Sequence, residues 1–317
     1  MFLNYIFIDG MIRLDQFLQM FDLQLTFLLN LMIGVFAYRT KMITDENRPH
    51  FLSLVLNIFL PAMVFNSFKN LTTELLQTGL IVLIASFIIY TLTYFVGAIF
   101  FRDFEDKKKR ILHYATLVNN VGFAGQPLAA DMFGDIGTIY ASIFLVPHRI
   151  FMWTVGISIL TTDAKTNVRS AFIKLIRNPS IIALILGLIR GFLQIPLPQF
   201  IDRSMGQLSG AVSPLAAIMI GSIIATLDLN SLFEKGVLRF TFIRLIVIPL
   251  SVLMVCKAIG LSGPIAGVLT IMTAMPAGTT TALLADSYGL DEQLASKTIF
   301  VSTVLSVITV PTLMLFL

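Results

Sequence analysis

Residues 119–127 read Asn-Asn-Val-Gly-Phe-Ala-Gly-Gln-Pro, a polar, glycine-containing interruption in a stretch otherwise apolar enough for a membrane helix. Residues 128–134 follow as Leu-Ala-Ala-Asp-Met-Phe-Gly, and the heptad returns at 283–289 as Leu-Leu-Ala-Asp-Ser-Tyr-Gly. Four of its seven positions are identical and a fifth is aromatic in both copies. The second copy also follows an interruption, Pro276-Ala277-Gly278-Thr279-Thr280-Thr281. Paired interrupted segments at corresponding places in two halves point to a solute site near the membrane midplane.

Composition supports a membrane setting. The chain has 317 residues, 56% hydrophobic and 13% charged, with a mean hydropathy of +0.88. A soluble chain carries about 25% charged residues. Apolar runs of the roughly 20 residues needed to cross a bilayer fill most of the length. They lie near 18–38, 50–68, 75–101, 110–133, 137–161, 171–192, 206–227, 237–258, 264–287 and 294–316. The expected fold is therefore all-α and integral to the membrane, with ten transmembrane helices. Residues 1–16 have no basic residue before Arg13 and no small-residue cleavage site, so a removed leader is not expected there. A frayed or interfacial lead into the first span is expected instead. The single Cys256 excludes a disulfide framework. The pI of about 9.2 does not imply nucleic-acid binding, because the basic residues sit in short loops between apolar runs.

Those loops give an orientation. The connections 1–2, 3–4, 5–6, 7–8 and 9–10 hold 15 Lys and Arg, and the opposite side holds 5. The positive-inside rule puts the first set in the cytoplasm and both termini outside. The run Lys107-Lys108-Lys109-Arg110 is part of that signal. The repeat is consistent with this layout. Asp131 and Asp286 are 155 residues apart, Pro61 and Pro214 are 153 apart, and Thr138–Ser142 resembles Thr298–Ser302 at an offset of 160. Two five-span halves follow, over 1–161 and 162–317. An odd number of spans enters the membrane inverted the second time, so broken helices 4 and 9 run oppositely and can cross near the centre.

Backbone groups freed by a break cannot face lipid. The N-termini of half-helices present N–H groups and partial positive charge, which suit an anion. Pro127 fits a first helical turn. Gly122, Gly125 and Gly278 permit close backbone approach. Asn119, Asn120, Gln126, Thr279, Thr280 and Thr281 add polar side chains. Packing kinks are the plain alternative, and the matched downstream heptads favour a site.

Arg149 lies centrally in span 5 and Arg244 inside span 8. An arginine at that depth normally faces protein or a cavity. Arg149 is expected to clamp a carboxylate with its planar fork, the alternative being an ion pair or bonds to freed carbonyls. For Arg244, snorkelling to the cytoplasmic surface and a ligand role both stand. His148 can titrate in a proton-coupled cycle or sit buried and neutral. Asp131 and Asp286 are either coupling-ion sites or ties at helix ends. Asn57, one turn before Pro61, lines the cavity or satisfies a carbonyl freed by the proline.

The segment Asn119–Leu128, with Trp153-Thr154, Met275–Gly278, Ala285, Tyr288, Ser296 and Pro311, resembles the auxin efflux carrier family, including its bacterial malate- and malonate-permease-like members. The resemblance covers essentially all ten spans. It implies a homodimer and organic-anion transport by an elevator cycle. Spans 1, 2, 6 and 7 would be the scaffold, and spans 3–5 and 8–10 the moving unit. Asn119, Asn120 and Pro127 would mark one crossed helix and Gly278 through Thr281 the other. Thr281 stands where plant members often carry a second proline. Arg149 takes a position more often neutral and polar, which suggests a strongly anionic substrate such as a dicarboxylate.

The expected function is secondary active transport of small organic anions, mono- or dicarboxylates or auxin-like acids. A proton, sodium ion or the membrane potential would drive it. A channel or ligand sensor is the rival class. No P-loop, no His-Glu-x-x-His and no nucleophile–base pair is present, so ATP use, a metal, a cofactor and an enzymatic role are not expected.

Overall fold

The computed structural model describes residues 2–161, 173, 176–226 and 232–317. Among these, the chain is helical and has no named strand, only one isolated bridge between Asn119 and Ala277. The helices are α1 (Phe2–Arg39), α2 (Arg48–Leu54), α3 (Leu60–Ser67), α4 (Thr73–Phe100), α5 (Asp106–Leu117), α6 (Gln126–Phe151) and α7 (Ile157–Leu160). They continue as α8 (Pro179–Phe192), α9 (Gln199–Gly210), α10 (Val212–Ile224), α11 (Lys235–Phe242), α12 (Ile248–Ala258), α13 (Gly263–Ala274), α14 (Thr280–Ser287) and α15 (Glu292–Met314). Seven helical runs among the described residues are long and apolar enough to cross a membrane, and α8 and α13 are shorter apolar helices. The chain is a multi-pass membrane protein. Its first helix starts at Phe2, well before the expected residue 18, so the lead into that span is helical. The start of the expected sixth span lies partly outside the described residues.

Local chemistry sets the helix boundaries. Thr72 caps α4 by accepting from Leu75 N at 3.3 Å. Asn178 accepts from Ser180 N at 3.0 Å and Ile181 N at 3.4 Å, with Pro179 at the start of α8. Asp291 caps α15 through Leu294 N at 3.0 Å. Each supplies an oxygen to N–H groups that a helix cannot satisfy from within. Pro61 and Pro249 are preceded by single π-helical turns, Val55–Phe59 and Ile243–Val247. The wider turn relieves the clash and the missing N–H that a proline brings to a helix.

One turn deserves an energetic reading. Residues 121–160 form a continuous helical run of 40 residues, about 60 Å if straight and twice the thickness of a bilayer core. It is not straight. Gly134 has φ 61° and ψ −142°, a conformation open essentially to glycine alone. The chain folds back there, and a Cβ at Gly137 would lie 1.9 Å from the Ala129 carbonyl oxygen. Gly137→Ala is therefore expected to cost more than about 3 kcal/mol, since neither backbone can yield. A large drop in thermal midpoint, or loss of monodisperse protein on size exclusion, is the expected result. An unchanged midpoint would contradict the fold-back. Gly289, which matches Gly134 in the repeated heptad, also has positive φ, 64°.

Glycine also draws α1 onto α10. Ideal Cβ atoms at Gly34 and Gly221 would each stand 2.0 Å from a carbonyl oxygen, of Ile218 and Leu31 respectively. Small residues at such contacts let membrane helices approach closely. At the end of α4, Arg239 donates to Phe100 O at 2.9 Å and to Asp103 at 2.5 Å, with its guanidinium 4.8 Å from the centre of the Phe104 ring. The hydrogen bond from Arg239 holds the Asp103 carboxyl below its ordinary value. Glu234 takes Lys297 at 2.7 Å and Lys108 at 4.0 Å, joining α5, α11 and α15.

Candidate functional site

The two sequence interruptions meet. Asn119 and Ala277 form an antiparallel bridge, with Asn120 N donating to Pro276 O at 2.8 Å and Gly278 N to Val118 O at 3.0 Å. The first break is shorter than the sequence suggests. Only Val118–Asn120 leaves helical geometry, and Val121–Gly125 resumes as a π turn in which Gly125 N reaches Asn120 O at 3.2 Å. A glycine-containing segment can still satisfy its backbone internally, so composition alone overstated the unwinding. The second break runs from Met275 to Thr279, between α13 and α14.

Carbonyls at the ends of α5 and α13 are closed off by named donors. Arg244, 2% exposed, donates through Nη1 to Thr116 O and through Nε to Met275 O, each at 3.0 Å. It thus ties both half-helix ends with one guanidinium. It neither snorkels nor points outward. The bonds to freed carbonyls, expected as an alternative for Arg149, belong to Arg244. Asn119 Nδ2 donates to Met272 O at 2.6 Å. Positive groups at helix C-termini oppose the partial negative charge of the last carbonyls.

The opposite ends are left open. First-turn N–H groups of Val121–Phe123, and of Thr279 and Thr280, have no acceptor within their own helices. Side chains donate to three of the carbonyls, while these N–H groups lack helical acceptors, which is the polarity an anion requires. Gly278 makes the approach feasible: a Cβ there would sit 3.1 Å from Val118 O and 3.3 Å from Asn119 O. A Cβ at Gly125 would instead meet the Met275 and Met272 side chains at 2.9 and 3.0 Å, and one at Gly122 would meet Arg149 Nη2 at 3.6 Å.

Most sequence-marked polar residues gather around this junction. Gln126 donates to Ser142 Oγ at 2.8 Å, while its Oε1 is buried without a partner among the described residues. Asn120 Nδ2 and Thr281 Oγ1 are likewise buried and unpartnered among them. Pro127 is buried at the start of α6. Thr279 and Thr280 are half-buried at the start of α14, and Thr280 meets Tyr114 Oη at 3.5 Å. Ser142 and Ser302, matched in the repeat, play matched parts. Each donates to a carbonyl four residues back at 2.6 Å, Thr138 and Thr298. Ser142 then accepts from Gln126 at the start of α6, and Ser302 from Ala277 N in the second break at 3.2 Å.

Arg149 is half-buried beside Gly122 at the first break. Its protein contact is Met152 Sδ at 3.9 Å, and it pairs with no carboxylate among the described residues. His148 is 4% exposed and meets Tyr90 Oη at 2.9 Å, which donates to Asn119 Oδ1 at 3.3 Å. In that chain the histidine orients Asn119 through Tyr90.

Two marked residues fall elsewhere. Asn57 is exposed and donates to Ser53 Oγ at 2.9 Å on its own helix, rather than to a carbonyl freed by Pro61. Asp131 is exposed and accepts from Ser213 Oγ at 2.8 Å. The side chain of Asp286 lies outside the described residues. Sequence reading missed Tyr90, Tyr114 and a small cavity of about 10 Å³ lined by Gln24, Ala124, Leu128, Pro276, Thr303 and Ser306. Thr303 Oγ1 is buried there without a partner. An isolated Gln24 in an apolar span was a usable signal, whereas Tyr90 and Tyr114 read as ordinary packing. Among the described residues no group of acidic, histidine and cysteine side chains could hold a metal ion.

Residues 22–314 match a family described as membrane transport protein. An uncharacterized transporter of Methanocaldococcus jannaschii is 26% identical over 307 residues, covering 91% of this chain and 96% of its own. An uncharacterized transporter of Escherichia coli is 24% identical over 297 residues, covering 89% and 92%. A putative malonate transporter of Rhizobium meliloti is 21% identical over 269 residues, covering 81% and 83%. With helix breaks that join in the interior and a match over nearly its whole length, the chain belongs to the membrane transport proteins of the auxin efflux carrier family.

Proposed function

We propose that the protein is a secondary transporter of small organic anions, with dicarboxylates of malonate or malate size as the preferred class. The observation that carries this reading is the polarity of the junction. Arg244 and Asn119 donate to the Thr116, Met275 and Met272 carbonyls, the first-turn N–H groups have no acceptor within their own helices, and Arg149 stands beside the junction with no carboxylate among the described residues. A dianion answers both the open donors and the guanidinium fork. The putative malonate transporter among the relatives fits the same class.

Ten spans in two inverted five-span halves account for the matched features: paired breaks, Gly134 with Gly289, and Ser142 with Ser302. In this reading α1, α2–α3, α8 and α9–α10 form a scaffold, and α4–α7 with α11–α15 form the unit that moves. Polar ties among the described residues support the division. Tyr90–Asn119, Arg244–Thr116, Arg244–Met275 and Lys297–Glu234 stay inside the moving unit, and Arg48–Ser222 and Arg190–Asp202 stay inside the scaffold. The cavity between Gln24 of α1 and the junction is too small for a carboxylate, so loading requires the two groups to separate. Both termini outside and a homodimeric assembly complete the proposal.

Counterflow in proteoliposomes tests the carrier reading. Trapped malonate or malate is expected to accelerate uptake of the labelled anion. Uptake indifferent to the trapped anion would favour a channel or sensor.

A further inference from the structure

We infer that the Asp131–Ser213 hydrogen bond is a latch that holds the moving unit against the scaffold in this one conformational state. The inference rests on the two-group reading above. Asp131 lies on the first half of α6, which follows the first break, and Ser213 lies at the start of α10. Their contact at 2.8 Å crosses between the groups, while the strong polar ties named above do not. It is a charge-assisted bond, hydroxyl to carboxylate, the stronger kind of hydrogen bond. Its exposed position at the rim lets it break without burying an orphaned charge.

The repeat makes the latch one-sided. In an inverted repeat the two halves exchange roles between the opposite states. Asp131 has its counterpart in Asp286, and Pro214 has its counterpart in Pro61. The residue before Pro61, matching Ser213, is Leu60. Leucine offers no hydroxyl, so the opposite state has no equivalent bond at that position. The asymmetry biases the resting equilibrium toward the latched state, and a bound anion would act against that bias.

Spin labels at Ser204→Cys on α9 and Lys257→Cys on α12, in a Cys256→Ala background, report the separation of the two groups in reconstituted protein. Both labelled positions are exposed. Two distance populations are expected. Ser213→Ala and Asp131→Ala should each raise the minor population about three- to tenfold, the effect of losing one hydrogen bond that water competes for at an exposed position. The double variant should go no further than either single one, because both remove the same contact. Ser213→Thr keeps a hydroxyl and should restore the native ratio. Two populations whose ratio ignores both single variants, or shifts that simply add, overturn the latch and leave the two-group reading standing. One fixed distance in every variant, with or without malonate, overturns the two-group reading and the latch together.

Discussion

Arg149→Ala is expected to remove malonate or malate binding while leaving the fold intact. Truncating one partner of a buried, hydrogen-bonded charge pair costs about 2–5 kcal/mol, which is roughly a 30- to 5,000-fold loss of affinity. The fold should tolerate the change, because among the described residues the hydrogen-bonding partner of Arg149 is a sulfur at 3.9 Å. A thermal-shift titration separates the two effects. The unliganded midpoint should stay near that of the native protein, and the rise produced by saturating anion should vanish. Arg149→Lys keeps the charge but loses the two parallel donors, so an intermediate response is expected. Full anion-induced stabilisation in Arg149→Ala would place the charge partner elsewhere and remove the main support for a dianion.

Arg244→Met should behave in the opposite way. Methionine fills much of the volume but leaves Thr116 O and Met275 O without their donor. Each buried acceptor stripped of its partner costs about 1–3 kcal/mol, so a loss of about 2–6 kcal/mol is expected before any ligand is added. The midpoint of the unliganded protein should fall, with faster amide exchange at 116–120 and 275–279. Arg244→Lys presents a single ammonium and should recover part of the loss. A native midpoint in Arg244→Met would mean that the half-helix ends find other donors. The two arginines look alike in the sequence, each a cation inside an apolar span. One is expected to fail in binding and the other in folding.

The two breaks that meet in the structure were legible in the sequence. The breaks announced themselves through glycine, proline and amide residues inside apolar runs, and their pairing through the repeated heptad. The exact extent of the first break was not legible, because a π turn at 121–125 looks in sequence like unwound chain. The position of Asn57 misled for a related reason. A polar residue one turn before a proline suggests a role at the kink, but its amide turns back to Ser53 on an exposed face. Asp131 sits at the matched place in the repeat yet reaches across to α10, a partner 82 residues away that no local pattern specifies.

The sequence by itself determined that the chain is a multi-pass membrane protein with duplicated helix breaks, because hydropathy, turn chemistry and repetition are properties read locally along the chain. Only the tertiary structure decided which polar groups are spent on holding the breaks together and which stay unpartnered among the described residues. Satisfying a buried hydrogen bond depends on whichever element is packed alongside, and Arg244 finds its two acceptors 128 and 31 residues away in the chain.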